Sequence, residues 1–127
     1  MTSSPAITFD MPGLARAVEG LSPAEVDTLP FGAIRLDADD RVVLYSAAEA
    51  RLSGYGARPA LGRAFFTEMA PCMDNPAFRG RIARASAAGR FDLEFGWIGD
   101  FSDRSRELQV RVLPATGGGC WIFIRRD

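Results

Sequence analysis

Apolar and polar positions alternate along two stretches in the second half of the chain. In FDLEFGWIGDF the apolar positions are Phe91, Leu93, Phe95 and Trp97, and in RELQVRVLP they are Leu108, Val110 and Val112. Period two is the mark of a half-buried strand. After the glycine turn ATGGG, CWIFIRR predicts a strand with a fully apolar core. Nearer the N-terminus, FGAIRLDADDRVVLYS reads as two strands joined hairpin-like around the acidic turn Asp37 to Asp40.

Elsewhere the signals are helical. DMPGLARAVEG predicts a helix closing at Gly20. SPAEVDTL carries Ser22 as N-cap, Pro23 at the first helical position and Glu25 three residues after the cap, and Pro30 then stops it. AAEARLSG is a short helix ended by Gly54. GYGARPALGRAFFTEMAPC, broken by glycines and prolines, allows only short turns. DNPAFRGRIARASAAG predicts a longer helix capped by Asn75, with Pro76 in its first turn, Phe78, Ile82 and Ala85 on one face, and Gly89 at its end. Two strands, short helices, one longer helix and three strands make an α+β domain. The expected architecture is a five-stranded, mostly antiparallel sheet with helices on one face. Residues 1–28 form an N-terminal helical cap, and 29–127 the core.

Composition narrows the chemistry. A chain of 127 residues that is 47% apolar is one globular domain with no sign of disorder. All fifteen basic residues are arginine, interleaved with sixteen acids to a formal charge of −1, so no nucleic-acid footprint appears. No apolar run approaches membrane-spanning length, and MTSSPAITFD lacks a signal-peptide layout, so the expected location is cytoplasmic. Without histidine or lysine, imidazole metal sites, Ser-His-Asp and Cys-His catalysis and Schiff bases drop out. Two widely spaced cysteines, Cys72 and Cys120, read as reduced thiols. By spacing alone, Cys72 reads first as a packed apolar residue and only second as a reactive one.

Four runs in order, LPFGAIRLD, LYSAAE, GRAFFTEMAPC and CWIFIRR, together resemble the photoactive yellow protein family of PAS-domain sensors, from about residue 9 to the end. The resemblance implies a PAS fold and a blue-light receptor that is not an enzyme. It implies a covalent cofactor, 4-hydroxycinnamic (p-coumaric) acid, joined by a thioester to the cysteine of Ala-Pro-Cys, here Cys72. The chromophore's phenolate would lie against Tyr45 and Glu49, with Ser53, where threonine is usual, supporting the tyrosine. Ile34, Phe65, Phe66, Phe95 and Phe101 are apolar candidates to wall the ring. Tyr55 stands where the best-known members carry an arginine that screens the ring. GDFSDRS offers Ser102 or Asp103 where a methionine is expected.

The residue types agree with that assignment. Tyr45, Glu49 and Ser53 follow at intervals of four, which puts Glu49 and Ser53 on one helix face with Tyr45 just upstream. A buried phenolate needs donors. A carboxylate cannot donate, so Glu49 serves only when protonated, as burial and a neighbouring anion both favour. The expected signal is proton transfer from Glu49 followed by release of the cap, whose attachment reads as thin. Phe9 is its one early aromatic, and the resemblance implies that it packs on a basic residue of the last strand, here Arg125. The implied partner is an unidentified downstream signalling protein, with no nucleic acid or membrane bound and the chain a monomer or weak dimer. Two other functions fit less of the sequence. One is a PAS-type ligand-binding or interaction module without a covalent chromophore. The other is a thiol redox protein, for which Cys72 has no histidine, lysine or partner cysteine nearby.

Overall fold

Strand parity decides the layering of this protein. A computed structural model describes residues 7–89, 91–100 and 103–126. The strands are β1 (Gly32–Leu36), β2 (Val42–Tyr45), β3 (Leu93–Ile98), β4 (Glu107–Pro114) and β5 (Cys120–Arg126), in spatial order β2-β1-β5-β4-β3. Every neighbouring pair is antiparallel. Central β5 sends Cys120, Ile122 and Ile124 into one apolar cluster, and Trp121 and Phe123 into another. β1 divides likewise, with Ile34 and Leu36 on the first side and Ala33 on the second.

Helices cover both sides. The first carries α3 (Ala47–Ser53), a π-helical turn at Phe65–Met69, a 3-10 turn at Pro71–Met73 and α4 (Arg79–Ala87). The second carries α1 (Leu14–Glu19) and α2 (Pro23–Asp27), with Leu14, Val18 and Val26 buried in its cluster. The local signals act as read. Ser22 Oγ accepts from the Glu25 amide at 3.2 Å, and the Glu25 carboxylate accepts from the Ser22 amide at 2.9 Å, closing the capping box of α2. Gly54, at φ 86°, ends α3 in the left-handed region where a side chain would be strained.

Two expectations need correction. Asn75 does not cap α4: its Oδ1 accepts from the Phe78 amide at 2.9 Å, closing a separate turn, and α4 starts only at Arg79. Nor is the N-terminal layer thinly attached. Arg125 does stack on Phe9, 4.9 Å from its ring centre, but Leu14, Val18 and Val26 are almost wholly buried. Each such side chain contributes about 1.5–3 kcal/mol over the exposed state. Buried Arg111 donates to the carbonyls of Phe9 and Met11 at 2.9 and 2.6 Å. Glu19 accepts from the Trp121 indole at 2.9 Å, and Asp27 accepts from the Ala47 amide at 2.7 Å. This layer is core, held by groups more than 80 residues away in sequence as well as by neighbours.

Candidate functional site

The site lies on the first face, between α3, β1 and the end of β5. Ser46 sets its geometry. As N-cap of α3, its Oγ accepts from the Glu49 amide at 3.0 Å and from the Ala33 amide of β1 at 3.1 Å, tying the helix start to the strand. That contact brings Glu49, 2% exposed, against the first residue of β1. A Cβ on Gly32 would collide with the Glu49 carboxylate, so glycine there makes room for the acid. One turn on, Ser53 Oγ lies 3.4 Å from the Tyr45 hydroxyl and accepts from the Tyr55 amide at 3.1 Å.

Tyr45, Glu49 and Cys72 converge on one small cavity of about 50 Å³, walled also by Ile34, Phe65, Ala70, Met73 and Ile124. Cys72 is exposed at its edge, carried by the 3-10 turn after Pro71, and its carbonyl accepts from Asn75 Nδ2 at 2.9 Å. Cys120 is the opposite case: buried, with its thiol pushed up to about 12 by burial and by the charge of Asp40. Burial, reinforced by the Glu49 charge, also raises the Tyr45 phenol, which keeps it a donor.

Of the sequence candidates, Ser53, Tyr55, Phe66 and Phe95 stand outside the cavity wall. Tyr55 packs on Tyr45 at 5.4 Å between ring centres, and its hydroxyl donates to the Pro59 carbonyl at 2.7 Å. Phe66 packs in the core, edge-on to Phe65 at 5.0 Å. Phe95 packs edge-on to Phe78 at 5.3 Å under the guanidinium of Arg81, which corrects its placement from ring wall to neighbouring core. Phe101 and Ser102 lie outside the described residues; Asp103 binds Ser105 locally and is not at the cavity.

What sequence reasoning missed is ionic. Arg126 closes the cavity with a two-pronged contact, Nη1 and Nη2 each 2.8 Å from one oxygen of Glu49. Its Nε donates to Asp100 at 2.6 Å, and Asp100 also accepts from Arg106 at 3.3 Å. The signal was available for Arg126, since parity in CWIFIRR puts it on the same side as Ile122 and Ile124. Burial raises the proton affinity of Glu49, and the contact with Arg126 offsets that only in part.

Known proteins resemble this chain in sequence and in fold. Residues 26–127 match the model of the family described as PAS fold. Photoactive yellow protein from Rhodothalassium salexigens is 33% identical over 121 residues, covering 94% of this chain and 97% of that relative. The chain belongs to the photoactive yellow protein family. The family member from Rhodobacter capsulatus is 31% identical over 107 residues, 82% of this chain and 85% of that one. The crystal structure of the photoactive yellow protein domain from the sensor histidine kinase Ppr of Rhodospirillum centenum superposes with a TM-score of 0.80 at 37% identity, covering 88% of this chain and 99% of that one. As a photoactive yellow protein family member the chain is a PAS-type photoreceptor domain. No helix among its described residues is long and apolar enough to cross a membrane.

Proposed function

We propose that this protein senses blue light through a 4-hydroxycinnamoyl group held as a thioester on Cys72. The observation that carries the reading is the convergence of an exposed cysteine, a tyrosine hydroxyl and a deeply buried glutamate on one apolar cavity. The donor set fits such a group: a thiol at the open end for attachment, and Tyr45 with protonated Glu49 at the closed end as donors to a phenolate. Size adds a requirement. Ligand cavities usually exceed about 300 Å³, so this site must widen when loaded. When bound, the group supplies absorption of visible light, isomerisation and a phenolate that accepts a proton.

The chain's own residues do the rest. Ser53 orients the Tyr45 hydroxyl, and Ser46 fixes Glu49 within reach. In the dark Glu49 stays protonated, because burial and a second nearby anion both oppose its ionisation. After light it gives up its proton and becomes a buried carboxylate. A buried carboxylate whose one guanidinium partner is shared with Asp100 is only partly compensated. Burying charge costs several kcal/mol, against the roughly 5–15 kcal/mol that holds a small domain folded. The response we propose is release of the N-terminal cap, residues 1–28, while the sheet persists, with the altered surface read by a downstream signalling protein.

Reconstitution tests this reading. Incubated with an activated 4-hydroxycinnamate, the protein turns yellow and gains the chromophore's mass on Cys72. Cys120→Ala behaves the same, and Cys72→Ala takes up nothing covalently. Covalent uptake by Cys72→Ala would overturn the assignment.

A further inference from the structure

The proposed photochemistry gives no task to the group that closes the cavity. Arg126 is nearly buried, 6% of its side chain exposed, and spends both terminal nitrogens on the two oxygens of Glu49. We propose that Arg126 is a switchable counter-ion: it holds the Glu49 carboxylate in the chromophore-free and light-activated protein, and lets it go when Glu49 is protonated in the dark. This rests on the reading above, and it adds a residue to it that positions charge without touching Cys72.

The geometry supports a partner that can release without being lost. Arg126 is gripped from its other edge by Asp100, through Nε at 2.6 Å and Nη2 at 3.2 Å. Arg106 in turn donates to Asp100 at 3.3 Å and to the Leu52 carbonyl of α3 at 2.8 Å. Glu49, Arg126, Asp100 and Arg106 therefore form a chain of alternating charges, anchored at the far end to the helix that carries Glu49. When Glu49 becomes neutral, Asp100 still fixes the guanidinium in place, ready for the carboxylate to return. A planar fork meeting both carboxylate oxygens is the strong form of this contact, and lysine cannot reproduce it.

Charge counting selects between the states. These four side chains carry two negative and two positive charges with Glu49 ionised. A phenolate beside Tyr45 would be a third anion against two cations, and a neutral Glu49 restores the balance. Glu49 gains the proton that the phenol O–H gives up as the dark state forms, and returns it after light. Neither direction requires an outside proton. Arg126 thus lowers the cost of the light-activated carboxylate, so it should prolong that state.

Arg126→Gln and Arg126→Lys test the proposal in the full chain, with and without chromophore. In the chromophore-free protein the Glu49 carboxyl is titrated by infrared difference spectroscopy, with Glu49→Gln to identify its band. The midpoint should rise by about one pH unit or more in Arg126→Gln, a tenfold change in proton affinity, and by less in Arg126→Lys. In loaded protein, recovery from the bleached state should quicken about tenfold in Arg126→Gln with the dark absorption band kept. A Glu49 midpoint that does not move in a folded Arg126→Gln protein overturns the counter-ion. If that variant fails to fold, an unmoved midpoint in Arg126→Lys does the same. Wild-type protein that takes up no chromophore on Cys72 instead sinks the photoreceptor reading, which the chromophore-free titration distinguishes.

Discussion

Glu19 and Glu49 sit on opposite faces of one sheet, and their surroundings push them in opposite directions. Glu19 keeps 13% of its side chain exposed and accepts from the Thr116 amide, the Thr116 hydroxyl, the Trp121 indole and Arg16. Burial raises its carboxyl, but those donors more than reverse that and hold it at about 2. Glu49 is 2% exposed and its paired partner is one guanidinium shared with Asp100, so burial prevails and its proton affinity is raised. Several donors near water, neutral ones and the cation Arg16 together, make a permanent anion. Deep burial with one shared cation makes an acid that can trade its proton. The cap face is built to stay charged, and the pocket face to change.

The largest expected effect tests whether the cap face is held as firmly as this contrast requires. Arg111, 4% exposed, makes two hydrogen bonds to Asp92 at 3.0 and 2.8 Å and two to cap carbonyls. Asp92 is half exposed and water can take over its share, but the carbonyls of Phe9 and Met11 would lose buried donors. Arg111→Leu should cost about 2–4 kcal/mol in chemical denaturation, with hydrogen exchange quickened first in residues 9–18. A loss under about 0.5 kcal/mol would mean that the cap does not depend on this contact.

On the pocket face the sharpest structural test is Gly32→Ala, because the added methyl would meet the Glu49 carboxylate. Overpacking of this kind costs about 1–3 kcal/mol. The variant should also displace Glu49 from Arg126 and impair chromophore uptake, measured by absorbance after reconstitution. Uptake and stability equal to the wild type would show that α3 shifts freely, against the rigid placement by Ser46.

Glu19→Gln comes next, and its pH dependence gives the comparison a sign. The ordinary carboxyl value is 4.5 and the folded one about 2. A depressed value means stability that is fully present above about 4.5 and lost as pH falls towards about 2. Glu19→Gln should therefore cost about 1–2 kcal/mol at neutral pH, with the difference from wild type closing across that acid window. Glu49 runs the other way in the chromophore-free protein. Its raised value favours the fold below about 4.5, and that contribution fades as pH rises and the acid ionises. A stability difference for Glu19→Gln that is constant from pH 7 to about pH 2.5 would remove the carboxylate as its cause.

How legible these features were in the sequence follows from the range over which each is determined. Strand alternation and the Ser22–Glu25 box are local, and both appear as read. The start of α4 was misplaced because Asn75 offers its side-chain oxygen equally well to a turn, a competition that spacing cannot resolve. The π-helical turn at Phe65–Met69 has no periodic signature short enough to see. For the site, Cys72, Tyr45 and Glu49 were legible through a resemblance, and the structure draws them to one cavity. Arg126 was legible in principle from parity, whereas Asp100 was not, because the segment after β3 brings it in. The bonds from Arg111 to Phe9 and Met11 span about a hundred residues, and no local pattern encodes them.

The smallest effect concerns a place where neighbouring residues serve the two faces. Arg125 and Arg126 are neighbours at the end of β5, and strand parity sends them to opposite sides. Arg126 meets Glu49 in the pocket, while Arg125 lies over Phe9 at 4.9 Å and pairs with Asp10 at 3.2 Å on the cap. The Asp10 side chain is 67% exposed, so that pair contributes little, and the contact with Phe9 about 0.5–1 kcal/mol. Arg125→Gln should lower dark-state stability by no more than about 1 kcal/mol, and the deficit should shrink with added salt as the Asp10 component is screened. Its interest lies in the light. If a shift of Arg126 towards Glu49 is carried through the shared backbone to Arg125, this variant already lacks the contact that the shift would break. Cap exchange in Arg125→Gln should then rise in the dark and change less on illumination than in the wild type. A light-induced change of unaltered size would show that the cap is released through Arg111 or Glu19 instead, and that the two faces communicate across the middle of the sheet rather than at its end.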